Sequence, residues 1–292
     1  MIKNLKLLAL CVLTLSLSYC SNDDDNGPSK SDLTLDINGL EDLGSDFVYE
    51  GWIMVDASPQ TTGRFSVNDS GDLSKTSFAL DSDDLAAATA FILTIEPAVG
   101  DDPAPSDTHL IAGDFSGDMG ALTIAHGAAL GDDFNTAAGD YILATPTNGS
   151  NNDEKSGIWF LDLNSGSPAV GLDLPVLPAG WKYEGWAVQG QPITTGTFLN
   201  VDAADDFDEF SGGMSGPPFP GEDFLVNAPS GLAFPLDLSG GTAVISIEPD
   251  PDNSPAPFLL KPLVGAILSD AVDHVTYPMT PNLNFPTGTV SR

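Results

Sequence analysis

Tyr49-Glu50-Gly51-Trp52 returns as Tyr183-Glu184-Gly185-Trp186, an offset of 134 residues (183 against 49). A chain that repeats an aromatic-rich motif at so long a spacing carries one folding unit twice, provided that the surroundings repeat too. They do. Leu40, Leu43 and Phe47 match Leu174, Leu177 and Trp181 at the same offset. Thr61-Thr62-Gly63 with Phe65 matches Thr194-Thr195-Gly196 with Phe198 at an offset of 133. Ile95-Glu96-Pro97, followed by Pro103-Ala104-Pro105, matches Ile247-Glu248-Pro249, followed by Pro255-Ala256-Pro257, at an offset of 152. The second copy is therefore longer between the last two blocks, and the Gly- and Pro-rich run 211–221 has no counterpart in the first.

The 292 residues suit about two domains. The first residues read as a signal peptide, with Lys3 and Lys6 ahead of an apolar run over 7–17 that is too short to span a bilayer. Leu17-Ser18-Tyr19-Cys20 resembles a lipobox, with Tyr19 in place of the usual small residue, so residues 1–19 are expected to be cleaved and Cys20 lipidated; an ordinary secretory signal is the alternative. Residues 20–30 read as an acidic, solvated tether. The acidic run behind the cysteine resembles the signal that sends some lipoproteins to the outer face of the outer membrane, and it equally suits a plain linker. With Cys11 in the signal and Cys20 lipidated, the remainder has no cysteine for a disulfide, a thiol nucleophile or a cysteine zinc site.

Nine Lys and Arg stand against 42 Asp and Glu, a net charge of −33. Nucleic acid and anionic membrane surfaces would be repelled. Most carboxylates must be hydrated or matched by external cations, and calcium is a candidate counter-ion outside the cell.

Strand signals dominate. Leu33, Leu35 and Ile37 alternate onto one face. The Tyr-Glu-Gly-Trp segment runs on through Ile53-Met54-Val55 with apolar residues on both faces: Tyr49, Ile53 and Val55 on one, Trp52 and Met54 with Glu50 on the other. Phe91, Leu93 and Ile95 form a third stripe, matched by Ala243, Ile245 and Ile247, and Pro97 and Pro249 end these strands. The small-residue stretch 117–130 is open between irregular chain and a short helix, and Tyr141-Ile142-Leu143 reads as the strand that closes the first copy. The polar run 148–153 reads as a linker. Short strands with frequent Gly and Pro predict an all-β chain of two tandem Ig-like β-sandwiches, over 31–150 and 151–292.

The order of blocks resembles the extracytoplasmic C-terminal domain of the anti-sigma-K factor family. Tyr183, Trp186, Gly190, Pro192, Gly196, Phe198, Glu248, Pro249, Pro255 and Pro257 carry the resemblance in the second copy. Tyr49, Trp52, Pro59, Gly63, Phe65, Glu96, Pro97, Pro103 and Pro105 carry it in the first. The resemblance implies the outer-domain fold and a sensing or binding role. It does not imply sigma-factor contact, because the family's helical cytoplasmic domain, its membrane helix and a His/Cys zinc cluster find no match here.

Glu50 and Glu184, each two residues before a tryptophan, are the sharpest polar candidates, with Glu96 and Glu248 next. They can be cation ligands or a glycosidase carboxylate pair. They can also be structural acceptors of backbone N–H groups, and retention in both copies suits that role. Trp52, Trp181 and Trp186 can stack on sugars, although their apolar flanks favour packing. The acidic run 202–209 lacks the spacing of a calcium loop. His109, His126 and His274 lack metal spacing. Nucleophile-elbow, phosphate-loop and zincin motifs are missing. The expectation is a non-enzymatic outer-membrane lipoprotein, exposed at the cell surface, that binds or senses an envelope protein or glycan. A structural or adhesive surface protein managed by calcium is the alternative, and a glycan hydrolase the outsider.

Overall fold

The structure is a computed structural model that describes residues 29–149, 151–252 and 254–292. The expected signal peptide, Cys20 and residues 20–28 of the expected tether lie outside the described residues. The chain is all-β, with 41% of residues in strands and 3% helical. The first copy runs β1 (Lys30–Asn38), β2 (Phe47–Val55), β3 (Ser58–Phe65), β4 (Ser77–Asp81), β5 (Ala90–Pro97), β6 (His109–Asp114) and β7 (Met119–Thr123). Its helix is α1 (Ser82–Ala87), where Asp81 caps the N-terminus by accepting from the Asp83 and Asp84 amides. The stretch 117–130, left open in the sequence, forms β7 and turns instead. The chain continues through β8 (Ala138–Leu143), β9 (Gly157–Trp159), β10 (Leu161–Asp162), β11 (Ala169–Val170) and β12 (Leu172–Asp173). Then follow β13 (Trp181–Gln189), β14 (Gln191–Phe198), β15 (Gly221–Asp223), β16 (Thr242–Pro249), β17 (Leu263–Ala266), β18 (Tyr277–Pro278), β19 (Thr280–Pro281) and β20 (Thr287–Ser291).

The first unit is one eight-stranded sheet in the order β3-β2-β5-β6-β7-β20-β1-β4. Its two edges meet at the Val67–Leu73 bridge, where the Ser74 amide donates to Ser66 O at 2.8 Å, so the sheet curls over on itself. The second unit is a pair of sheets, β14-β13-β16-β17-β19 and β12-β8-β9-β15, with β18 also pairing β8. The repeat is visible strand by strand. β3-β2-β5-β6 corresponds to β14-β13-β16-β17, β7 to the β18–β19 stretch, β1 to β9 and β4 to β15.

The position held by β20 in the first unit, between β7 and β1, is held in the second by β8, between β18 and β9. This corrects the expected division at residue 150. The strand expected to close the first copy pairs only with the second unit, and the last strand returns to the first. Burial explains it. On β8, Tyr141 and Leu143 face the main core while Ile142 faces a second apolar cluster with Trp159, Leu161 and Phe219. A strand apolar on both faces needs cover on both, and Phe219 belongs to the run 211–221 that only the second copy has. β20 buries Val290 alone, to 0% exposure, among five residues. Residues 148, 149 and 151–153 accordingly lie in the connection between β8 and β9 rather than between domains. One contiguous core contains Leu33, Tyr49 and Phe91 of the first unit with Phe160, Tyr183 and Ile245 of the second.

Tyr49, Ile53 and Val55 lie in that core, while Trp52 and Met54 turn the other way onto Ile92, Ala112 and Ala129. The two faces of β2 are those expected from alternation.

Candidate functional site

The repeated residues form one construction, built twice. Gly51 sits on the inner face of β2, where a Cβ would collide with Thr62 Oγ1 and the Phe91 ring; at Gly185 it would collide with Thr195 Oγ1 and the Phe160 ring. The Thr-Thr-Gly block is a β-bulge. Gly51 pairs with Gly63 but Trp52 with Thr61, leaving Thr62 as the extra residue, and Gly185 and Trp186 pair likewise with Gly196 and Thr194. The bulge requires a left-handed backbone at its glycine, with φ of 119° at Gly63 and 121° at Gly196.

Trp52 Nε1 donates to Thr94 Oγ1 at 2.9 Å and Trp186 Nε1 to Ser246 Oγ at 2.8 Å. These hydroxyls donate onward to Glu96 Oε1 and Glu248 Oε1. Each Glu also accepts a backbone amide ten residues on, at the end of the Pro-Ala-Pro loop: Ser106 N at 2.9 Å for Glu96, and Phe258 N at 2.9 Å for Glu248. Glu96 and Glu248 are each 1% exposed. They bind the loop to the strand. Trp52, Trp181 and Trp186 are buried. Tyr49 and Tyr183 are buried as well, stacked on Phe65 and Phe198, with hydroxyls donating to Glu41 O at 3.0 Å and Pro175 O at 2.7 Å.

The two units part at Glu50 and Glu184. Glu50 accepts from Thr61 Oγ1 on Oε1 and from Arg64 Nε on Oε2 at 2.6 Å. Arg64 also pairs with Asp101. Glu184 accepts from Thr194 Oγ1 on Oε1, and its Oε2 accepts no hydrogen bond among the described residues. The residue paired across the ladder is Arg64 opposite Glu50 but Thr197 opposite Glu184. Thr197 turns to Asp206, donating its amide and its hydroxyl at 2.7 Å each. In place of the guanidinium, the second unit brings one oxygen each of Glu184, Glu248 and Asp252 within 4.8 Å of one another. Burial, reinforced by Asp252 and Asp206 and opposed by the Thr194 hydrogen bond, raises the Glu184 carboxyl to about 7. Burial raises Glu248 to about 8 against its Ser246 and Phe258 hydrogen bonds, with Glu184 and Asp252 adding. Two cations lie near: Lys182 pairs with Asp250 at 3.5 Å, and Lys261, which donates to Phe258 O at 2.6 Å, feels the charges of Glu41 and Glu248.

Glu184 opens onto a cleft of about 480 Å³ that Trp186, Ile193, Phe210 and Pro255 also line. Asp252 lines a second cleft, of about 340 Å³, between the 41–47 loop of the first unit and the 249–258 loop of the second.

Buried carboxylates also occur where sequence reasoning singled out none. Asp223 accepts from Trp159 Nε1 at 2.8 Å and from the Thr147 amide at 2.8 Å, and Glu222 accepts from Ser211 and from the Asp223 amide. The sequence signal was the pair's position inside the apolar run 219–226. In the acidic run 202–209, Asp205 accepts the Gly221 amide at 2.8 Å and so anchors the extra segment.

No family model, curated protein or solved structure matches the chain.

Proposed function

We propose that the chain is a non-enzymatic lipoprotein of the cell envelope, anchored in the outer membrane through Cys20, and that it serves as a binding or sensing module. In this reading its two units are relatives of the anti-sigma-K outer domain, released from sigma-factor control, and the envelope partner is a protein or a glycan. One observation carries the binding role: the first unit answers Glu50 with its own Arg64, whereas the second leaves Glu184 at the wall of a cleft. The first unit is thus the structural member of the pair and the second the ligand-bearing one. A hydrolase needs two acids flanking a bond. Here Glu96 and Glu248 are committed to loop amides, and three carboxylates of the second unit crowd onto one side.

Two experiments test the reading. Metabolic labelling with a fatty-acid analogue should mark the wild-type protein in the outer-membrane fraction and not the Cys20→Ala variant. Incubation of residues 21–292 with envelope glycans should show no release of reducing sugar. Turnover that Glu184→Gln abolishes would replace this reading with the hydrolase.

A further inference from the structure

We infer that β20 is an exchangeable strand, and that the chain pairs with a second copy of itself by placing β20 in the slot between β7 and β1 of the other copy's first unit. The inference goes beyond the proposed binding role and does not depend on it.

The topology is already a reciprocal exchange within one chain. β8 follows β7 in sequence, yet it lies in the second unit, between β18 and β9. β20 follows β19, yet it lies in the first unit, between β7 and β1. Each copy of the repeat is thus completed by the strand that trails the other. The two strands are built alike: each carries a glycine two residues before a core side chain, Gly139 before Tyr141 and Gly288 before Val290. A Cβ would collide at both, with the Leu263 and Leu172 side chains at Gly139 and with Asp36 O at Gly288. The segments that lead into the two strands meet, with Phe134 ahead of β8 and Phe285 ahead of β20 at a ring-centroid distance of 5.8 Å. The slot in the first unit therefore takes a strand delivered from another copy of the repeat.

The contacts that hold β20 there are the same whichever chain supplies it. It pairs five residues with β1 and five with β7. Val290 is its one buried side chain. Beyond it, the Arg292 guanidinium donates to Leu85 O at 2.7 Å, Ala88 O at 2.6 Å and Gly117 O at 3.1 Å, all in the first unit. The irregular residues 282–286 join β20 to the second unit. A swapped pair keeps the contacts of β20 and changes only the path of that short segment, which makes exchange a low-cost route to a dimer. Proximity favours the single chain. A tether this short holds β20 at an effective concentration of order mM for its own slot, so exchange competes when copies are crowded to that level. The net charge of −33 keeps copies apart, and salt, which screens it, should favour the pair.

The test uses residues 21–292 carrying Asp36→Cys and Thr289→Cys together. The two positions are exposed, pair across the β1–β20 ladder, and would be the only thiols in that stretch. The protein is unfolded, refolded in high salt at concentrations from far below to about 1 mM, oxidised and run on a non-reducing gel. The expected result is a link within one chain in the dilute samples. As concentration rises, a covalent dimer should grow in, joined through residues 36 and 289 and able to form between a tagged and an untagged copy. A link confined to single chains at every concentration would overturn the inference. So would a dimer joined 36 to 36 or 289 to 289, which is ordinary surface association. Light scattering on the unmodified chain, refolded in the same way, gives an independent reading. A dimer is expected there too near 1 mM, and a monomer throughout would sink the proposal even if the cysteine pair had upset folding.

Discussion

At the scale of single residues, Glu96 and Glu248, which the sequence offers as structural or binding candidates, act as fasteners in the fold. Glu248→Ala would leave the Phe258 amide and the Ser246 hydroxyl buried without an acceptor, at a cost of about 1–3 kcal/mol. Urea unfolding should show that loss, and Glu96→Ala should show one of similar size. Arg64→Ala should also destabilise, by roughly 1–2 kcal/mol, because it strands a buried Glu50; the 38% exposure of Arg64 keeps the effect below that of a fully buried pair. Both acids were legible as repeated positions, since a tie point recurs wherever the fold recurs. The contrast between Arg64 and Thr197 was not, because it lies in the one unmatched letter between Gly63 and Phe65, and only the cross-strand register shows that this letter faces the glutamate.

At the scale of elements, alternation revealed β2, β5, β13 and β16, whose faces are apolar for a reason that periodicity records. It did not reveal the bulges. Thr-Thr-Gly is polar and unremarkable as text, and its meaning is a one-residue slip in pairing that only a partner strand defines. Nor did it reveal the role of the extra segment of the second unit, whose composition suggests a loose loop. Phe219 covers Trp159 and Ile142, and Gly216 lies so close over the Trp159 ring that a Cβ there would collide. The acids beneath this segment predict a pH dependence. Burial raises Asp205 to about 8 and Glu222 to about 7. Both therefore keep their protons in the folded chain where the unfolded chain, at the usual carboxylate value of about 4, has lost them. Their contribution to stability is full below that value and is lost as pH rises through about 7 to 8. The melting temperature should be higher at pH 5 than at pH 8.5, and Glu222→Gln should flatten that slope, as a calorimetric series would show.

At the scale of the molecule, duplication was legible and its assembly was not. Sequence order placed β8 with the copy that precedes it, whereas its apolar residues on both faces placed it where the extra segment can cover it. The second unit is continuous over residues 138–281, and the first is completed by residues 287–291. A protease nick at Asn151 should therefore cut within the second unit, and the fragments should stay together on gel filtration. Removal of residues 287–292 should open the first unit between β7 and β1 and make residues 30–123 protease-sensitive, while 138–281 remains resistant.

β1 is paired along its first half with β4, over Lys30–Thr34, and along its second half with β20, over Thr34–Asn38. An edge strand under tension peels one hydrogen bond at a time. A pull applied at Lys30 loads the β4 ladder first and reaches the β20 ladder only at Thr34, so the two ladders resist it in series. Traction on β1 that clears the β4 ladder is then met by β20, the strand that completes the sheet.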